Sequence, residues 1–398
     1  MHYNFRLFWR TFYRSFFASK NSPAPLNRRR IIFLALFYAV WPLGSLFHWF
    51  CFWLDDILYP AHKTQPVEKP LFIIGNLRSG STFLHRLISR DTTFTSLTTW
   101  DIYLTPSVVQ KKFTKFISRL DNKLGGHLHR LLYAFDRRTL GQFKIHSISF
   151  FQPEEDENVL MHAWDSFWVT FLFPFMDEFP NYQHFDEALS PERKHKIMAF
   201  YKSMLQRHLY ATGKKYYVAK APAFSAKIQT LAEFFPDARI IYLIRNPLDM
   251  LPSTVSWINY SRAVFTGPHK QYIYLDEILD LTQHWYRHPL QYLDTHTSPR
   301  HLILTYDDLI QRPEQVIRGF YEQFGYPDKP GLEKIVDEAV KETLSHSSDH
   351  SYSYEEMGFT RQQIVELYSD VFERFRFDKR EDEVASMKTQ PASITAFE

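Results

Sequence analysis

The chain has 398 residues, 45% of them hydrophobic, 23% charged and 17% aromatic, which excludes wholesale disorder, and 12 glycines and 22 prolines exclude collagen-like or low-complexity architecture. A single cysteine, Cys51, excludes an internal disulfide and a cysteine-based zinc or CxxC redox centre. The net charge of +3 hides an asymmetry: seven of the 47 basic residues fall within residues 1–30 with no acid among them, leaving 40 basic against 44 acidic residues elsewhere, so a basic arm for an anionic membrane or nucleic acid is confined to the N-terminus.

In residues 3–17, Phe5, Phe8, Trp9, Phe12, Tyr13 and Phe16 recur at helical spacing, and Arg6, Arg10 and Arg14 step by four along another face. This predicts an amphipathic helix, either lying in a membrane interface or docked on the protein's own core. Ile31 to Leu54 follows, 24 residues without Asp, Glu, Lys or Arg, between Arg28–Arg30 and Asp55–Asp56. It is long enough for a bilayer span, which needs about 20 residues. Pro42 and Gly44 near its middle allow two half-helices in a shallow hairpin instead, and a buried pair of core helices is the bland alternative. These features favour a membrane over nucleic acid as the partner of residues 1–58. A single span would put the remainder outside the cytoplasm, and a hairpin would leave it inside.

After a polar linker at 61–70, Leu71–Ile74 is an apolar run suited to a buried parallel strand, predicted over 71–75. Gly75 and Gly80 bracket a tight loop, and a helix is predicted over 82–90. Strand, glycine loop and helix form a phosphate cradle, with the helix N-terminus and loop N–H groups facing an anion. Against the pattern GxxxxGK[ST], Gly75, Gly80 and Thr82 align, but Ser81 replaces the lysine and the cation is Arg78. The loop therefore suits a phosphate held by Arg, Ser, Thr and backbone without a metal.

Further elements are predicted as helix 155–170, helix 191–211, strand 216–220 closing on Lys220, helix 225–235 and strand 239–244 followed by Arg245. Helix 247–260 carries Ser253, and helix 273–295, strand 301–305 and helix 313–324 complete the series. Arg245 leaves a strand where a metal-binding nucleotide hydrolase would place Asp. Ser253, two helical turns on, faces the crevice in which open α/β sheets bind ligands. No histidine pair has HExxH spacing, and no metal is expected. The aromatic run at 162–182 suits an acceptor pocket, a core or a membrane-facing surface. Alternating elements predict an α/β fold: a three-layer, P-loop-like parallel sheet flanked by helices, with a large helical cap and an N-terminal membrane-associated helical segment. The expected organisation is an anchor at 1–60, a catalytic domain at 66–375 and a disordered tail at 379–398.

The segments FIIGNLRSGSTFLHRL (72–87) and PDARIIYLIRNPLDMLPST (236–254) together resemble the donor-binding motifs of sulfotransferases that use 3′-phosphoadenosine 5′-phosphosulfate (PAPS). PEEDENVLMHAW at 153–164 is similar to the bacterial branch related to tyrosylprotein sulfotransferases. The resemblance implies that Arg78, Ser79, Gly80, Ser81 and Thr82 bind the 5′-phosphosulfate, and that Arg245 and Ser253 bind the 3′-phosphate. It places Lys220 at the leaving group. The family's base is a Glu after Trp, and here Trp100 is followed by Asp101, one methylene shorter. His146, Glu154 and Glu155 are alternatives, and a helix cap or acidic first turn is the bland reading of Asp101 and of Glu154–Asp156. The implied enzyme moves a sulfuryl group from PAPS to a small-molecule or lipid hydroxyl by metal-free in-line transfer. It would be membrane-associated, on the cytoplasmic side in a bacterium or in the Golgi lumen of a eukaryote. A P-loop nucleotide kinase and a catalytically inactive membrane scaffold are the rival readings.

Overall fold

The structure is a computed structural model that describes residues 2–139, 149–267, 272–327, 331–344 and 354–377. His146 and the tail at 379–398 lie outside the described residues. Five parallel strands, β1 (Leu71–Gly75), β2 (Phe94–Thr95), β3 (Tyr216–Lys220), β4 (Arg239–Ile244) and β5 (His301–Thr305), form one sheet in the order β2-β3-β1-β4-β5. Strand alternation divides the core in two. Leu71, Ile73, Ile241 and Leu243 face one layer, and Phe72, Ile74, Ile240 and Tyr242 face the other. Both faces are dry, which is why the strands read as unbroken apolar runs rather than as alternating ones.

The helices before the sheet's second strand are α1 (Phe5–Phe17), α2 (Arg28–Leu58) and α3 (Ser81–Ile88). After it come α4 (Thr99–Tyr103), α5 (Val108–Lys123), α6 (His127–Thr139), α7 (Val169–Leu172), α8 (Phe185–Ala188) and α9 (Pro191–Thr212). The series continues with α10 (Ile228–Phe234), α11 (Pro247–Thr266), α12 (Leu275–Thr295), α13 (Tyr306–Gln311) and α14 (Pro313–Phe324). It ends with α15 (Gly331–Leu344), α16 (Arg361–Leu367) and α17 (Ser369–Phe375). α3, α14 and α15 cover one face of the sheet, and the larger helical mass covers the other.

The predicted helix over 155–170 does not form. Asp156–Ala163 is a 3-10 turn that stops at Trp164, whose φ of 56° is left-handed, and α7 begins only at Val169. Buried polar contacts dictate this path. Glu157 accepts from Lys227, from the Ser166 hydroxyl and from the Phe167 amide, and Asp156 accepts from Tyr201 and Tyr217.

The N-terminal segment packs against the rest of the described chain. α2 is one continuous helix through Pro42 and Gly44 rather than a hairpin, and one face of it is fastened to the domain from end to end. The buried Arg30 donates to the carbonyls of Leu172 and Phe265, and Trp49 Nε1 donates to the His162 carbonyl. Asp55 accepts the Val108 and Val109 amides at 2.9 and 2.8 Å, so it caps α5, and it also accepts from Arg207 at 3.1 Å. α1 is held by Asn4 and His2 on Asp165. On its basic face Arg10 pairs with Glu178, and Arg14 with Asp177 and Glu178. Leu7, Phe8, Leu34 and Phe52 belong to the same continuous core as Phe72 and Ile74 of β1.

Asp55 is thus a buried charge with three partners, and removing it leaves Arg207 and a helix N-terminus unpaired. Asp55→Ala is expected to cost about 3–5 kcal/mol in denaturant unfolding. A loss below about 1 kcal/mol would show that α2 is dispensable.

Three fully buried imidazoles set the acid stability. Burial pushes His85 and His208 down to about 3 and His162 down to about 4, with Lys220, Lys111 and His48 adding repulsion in turn. Their folded values lie below the unfolded one, so between pH 6 and 4 the unfolded chain binds more protons and stability falls with pH. Asp156, raised to about 8 by burial against the pull of its tyrosine donors, offsets one proton. Net, stability therefore falls as the pH drops through this range. Denaturation midpoints at pH 7 and pH 5 measure it, and equal midpoints would contradict it.

Candidate active site

The carboxyl edge of the sheet collects the predicted donor-binding residues, because a parallel sheet directs every strand's C-terminal loop to one side. β1 runs into the glycine loop, and β3, β4 and β5 end beside it on Lys220, Arg245 and Tyr306. In the loop, Gly75 (φ 151°) passes so close to the Leu243 carbonyl that a Cβ would collide with it. Gly80 (φ 93°) forms the left-handed N-cap of α3, and a Cβ there would lie 2.5 Å from the Tyr306 ring. Arg78 is also left-handed, at φ 63°, a strain that non-glycine residues hold at functional turns when neighbours enforce it.

Those neighbours are the other donor residues. Arg78 Nε donates to the Ser253 hydroxyl at 3.0 Å, and its carbonyl accepts from Arg245 Nη1 at 3.1 Å. The Arg245 guanidinium rests on the Tyr306 ring, 4.5 Å from its centroid, and the Tyr286 hydroxyl donates to the Arg245 carbonyl at 2.6 Å. Two cationic turns separated by some 165 residues of sequence therefore share one crevice. Ser225 clamps the start of the loop, accepting from the Gly75 amide and donating to the Gly75 carbonyl, each at 3.0 Å. The buried Ser79 Oγ has no hydrogen-bond partner. An orphan hydroxyl, two guanidinium groups and the uncapped first-turn amides of α3 fit an anionic group. Ser81 and Thr82 open that helix.

A cavity of about 420 Å³ adjoins this edge. Its apolar lining includes Trp41 of α2, Trp168, Phe171 of α7, and Trp257 and Phe265 of α11. Its polar groups, among them Thr99, Glu154, Glu155 and Asn158, come from α4 and the segment after Pro153, which the Thr98–Pro153 bridge holds side by side. Cavity and sheet edge meet at one contact. Lys220 Nζ donates to Glu155 Oε1 at 2.6 Å, with both side chains buried.

Asp101 stands elsewhere. It forms a capping box with Thr98 and an ion pair with Lys111, and it is not among the cavity-lining residues. Burial would raise its carboxyl, but the Lys111 charge outweighs burial and holds it at about 2. The helix-cap reading of this residue is the one the geometry supports. Glu155 does not open a helix; it precedes the 3-10 turn, without a capping hydrogen bond. The sequence reading missed Tyr286, Tyr306, Ser225 and Trp41. Tyr306 had a usable signal, since it directly follows strand 301–305 on the same edge as Arg245. Among the described residues, His184, Glu187 and His284 bring one ligand atom each within 4.8 Å of one another; none of them belongs to the cradle or the cavity.

Comparison with known proteins agrees with this geometry. The chain is 26% identical over 338 residues to the omega-hydroxy-beta-dihydromenaquinone-9 sulfotransferase Stf3 of Mycobacterium bovis, covering 82% of this chain and 80% of that protein. The Stf3 protein of Mycobacterium tuberculosis matches to the same extent. In fold, the chain is similar to sulfotransferase STF9 of Mycobacterium avium, with a TM-score of 0.71, 17% identity and coverage of 94% and 97% of the two chains. It is also similar to STF1 of Mycobacterium tuberculosis H37Rv, with a TM-score of 0.68, 17% identity and 92% of each chain covered. The Sulfotransferase family model matches residues 70–330, which contain the loop, both arginines, Lys220 and Glu155: the chain belongs to the sulfotransferase family and is a sulfotransferase.

Proposed function

We propose that the protein transfers a sulfuryl group from PAPS to a hydroxyl of a hydrophobic, lipid-like acceptor, and that Glu155 is the base. The observation that carries this reading is the Lys220–Glu155 contact, which joins the apolar cavity to the phosphate cradle. Arg78, Ser79, Gly80, Ser81 and Thr82 would hold the 5′-phosphosulfate, and Arg245 with Ser253 the 3′-phosphate. The acceptor hydroxyl gives its proton to the Glu155 carboxylate as its oxygen bonds to sulfur. The sulfur–oxygen bond to the phosphate breaks, and its electron pair leaves on the bridging oxygen beside the Lys220 ammonium. Positioning and cationic stabilisation supply the rest of the rate.

A cavity of this size suits a drug-sized ligand or one end of a longer molecule, and its aromatic walls select an apolar one. The Stf3 relatives are named for a hydroxylated menaquinone, an alcohol on a long apolar chain, which supports the same acceptor class. Residues 1–58 are read as membrane-associated through the uncovered face of α2. A helix bound to the domain along its length lies in the plane of the membrane rather than across it, and the catalytic domain stays on the side where the chain is made, the cytoplasm in a bacterium.

Glu155→Gln is expected to lower kcat roughly 100- to 1,000-fold while leaving affinity for 3′-phosphoadenosine 5′-phosphate unchanged in calorimetry. Asp101→Asn should retain kcat and lose about 1 kcal/mol of stability. The reverse pattern would return the base to Asp101, and a large kcat loss in Glu154→Gln alone would move it one residue.

Arg245→Ala should weaken binding of the same bisphosphate roughly 100-fold without magnesium. Tighter binding of magnesium-ATP than of the bisphosphate would support the kinase alternative instead.

A further inference from the structure

Three helices packed side by side leave apolar stripes that nothing among the described residues covers. Along α2, Ile32, Leu36, Val40, Leu43, Phe47 and Phe50 are exposed on the face opposite Leu34, His48 and Phe52. α5 packs against α2 and is capped by its Asp55. It exposes Phe113 (64%), Phe116 (62%), Leu120 (45%) and Leu124 (67%), spaced i, i+3, i+7 and i+11. α6 packs against α5 and adds Leu128, Leu131 and Phe135. On α5 and α6 alone this uncovered apolar area is roughly 800 Å², well beyond what soluble monomers leave open.

The charges beside the stripe identify its partner. Residues 106–139 contain eight Lys and Arg and only two acids, Asp121 and Asp136. Asp136 is buried, and Asp121 is engaged in capping the Leu128 and His129 amides. Lys115, Arg119, Lys123, Arg130, Arg137 and Arg138 are exposed. An apolar stripe bordered by cations with no opposing acid fits an anionic phospholipid surface.

We propose that the α5–α6 hairpin is a second bilayer-inserting element, distinct from the N-terminal segment, which with α2 seats the catalytic domain on an anionic leaflet. Trp41 and Tyr260 line the cavity from α2 and α11, which pack together, and Tyr260 is itself 45% exposed. A lipid acceptor can then pass sideways from the leaflet into the cavity. This last step rests on the acceptor reading above, and the bilayer seat does not.

The test is flotation of the full chain with phosphatidylcholine vesicles, with and without phosphatidylglycerol. Wild type should prefer the anionic vesicles. Combining Phe113→Ser, Phe116→Ser, Leu120→Ser and Leu124→Ser should lower partitioning roughly 100-fold while bisphosphate affinity and thermal midpoint stay at wild-type values. Combining Lys115→Glu, Arg119→Glu and Lys123→Glu should abolish the anionic preference, and this arm decides the matter if the serine variant misfolds. Equal flotation of both variants and wild type would overturn the proposal by assigning the membrane contact to α1 and α2 alone. So would a wild-type dimer that both variants dissolve, because the stripe would then bind a second copy. Failure of wild type to bind the bisphosphate would sink the donor reading and leave the flotation result intact.

Discussion

The contact between Lys220 and Glu155 is where the two halves of the site become one. Lys220 ends a strand whose position is dictated by the sheet, and Glu155 belongs to an irregular segment whose position is dictated by buried polar contacts around Asp156 and Glu157. A buried ammonium and a buried carboxylate cannot be separated cheaply, since either left alone carries an uncompensated charge. The pair therefore holds the cavity against the glycine-loop crevice, and under the proposed function that would set acceptor against donor with the precision that in-line transfer demands. It also accounts for the failed helix over 155–170. A regular helix there would lift the Glu157 carboxylate off Lys227 and Phe167, and would draw Glu155 away from Lys220.

The glycine loop and the strand-end arginines that share its crevice were legible because their pattern is local. A phosphate cradle needs particular residues at particular offsets after a strand, and β1, β3, β4 and β5 announced themselves as fully apolar runs at the residues where they occur. Arg78 and Arg245 were readable as cations at strand ends, although the sequence does not reveal that one donates to the carbonyl of the other. The acceptor half was not legible because its parts are assembled from four distant segments. Trp41 reads as one more aromatic in a membrane-like run. Glu155 reads as one acid among several, and only its partner on β3 separates it from Glu154 and Asp156. Asp101 is ambiguous in sequence for a physical reason: the residue after Trp100 fits both a family base and a capping box, and the structure shows the capping box and a pair with Lys111, ten residues on.

α2 shows the limit of amphipathicity as a guide. Its two faces differ little in composition, since both are rich in Leu, Phe and Trp, and they differ only in what they meet. One meets the β1 core and the α5 N-terminus, and the other meets nothing among the described residues. Hydropathy alone therefore reports a candidate span. Along one face α2 has protein partners from Arg30 to Asp55, while its other face stays exposed. Near its two ends the buried Arg30 donates through Nη1 to the Leu172 and Phe265 carbonyls, and the buried Asp55 accepts from Arg207 and the α5 amides.

Placing the apolar face and the catalytic cavity on the same helix has a chemical consequence. Trp41 is a cavity wall on one side of α2, and Val40 and Leu43 beside it are exposed. An acceptor dissolved in a leaflet would then travel about one helix diameter, ~10 Å, from hydrocarbon to aromatic lining without crossing water, while the donor, a multiply charged nucleotide, reaches the opposite end from solvent. The Lys220–Glu155 pair lies at the boundary between these routes. Acceptor and donor differ so strongly in solubility that one open cleft would serve neither well. If the proposed acceptor and donor are right, division into an aromatic end on α2, α7 and α11 and a cationic end on the sheet edge would let each arrive from the phase in which it is concentrated.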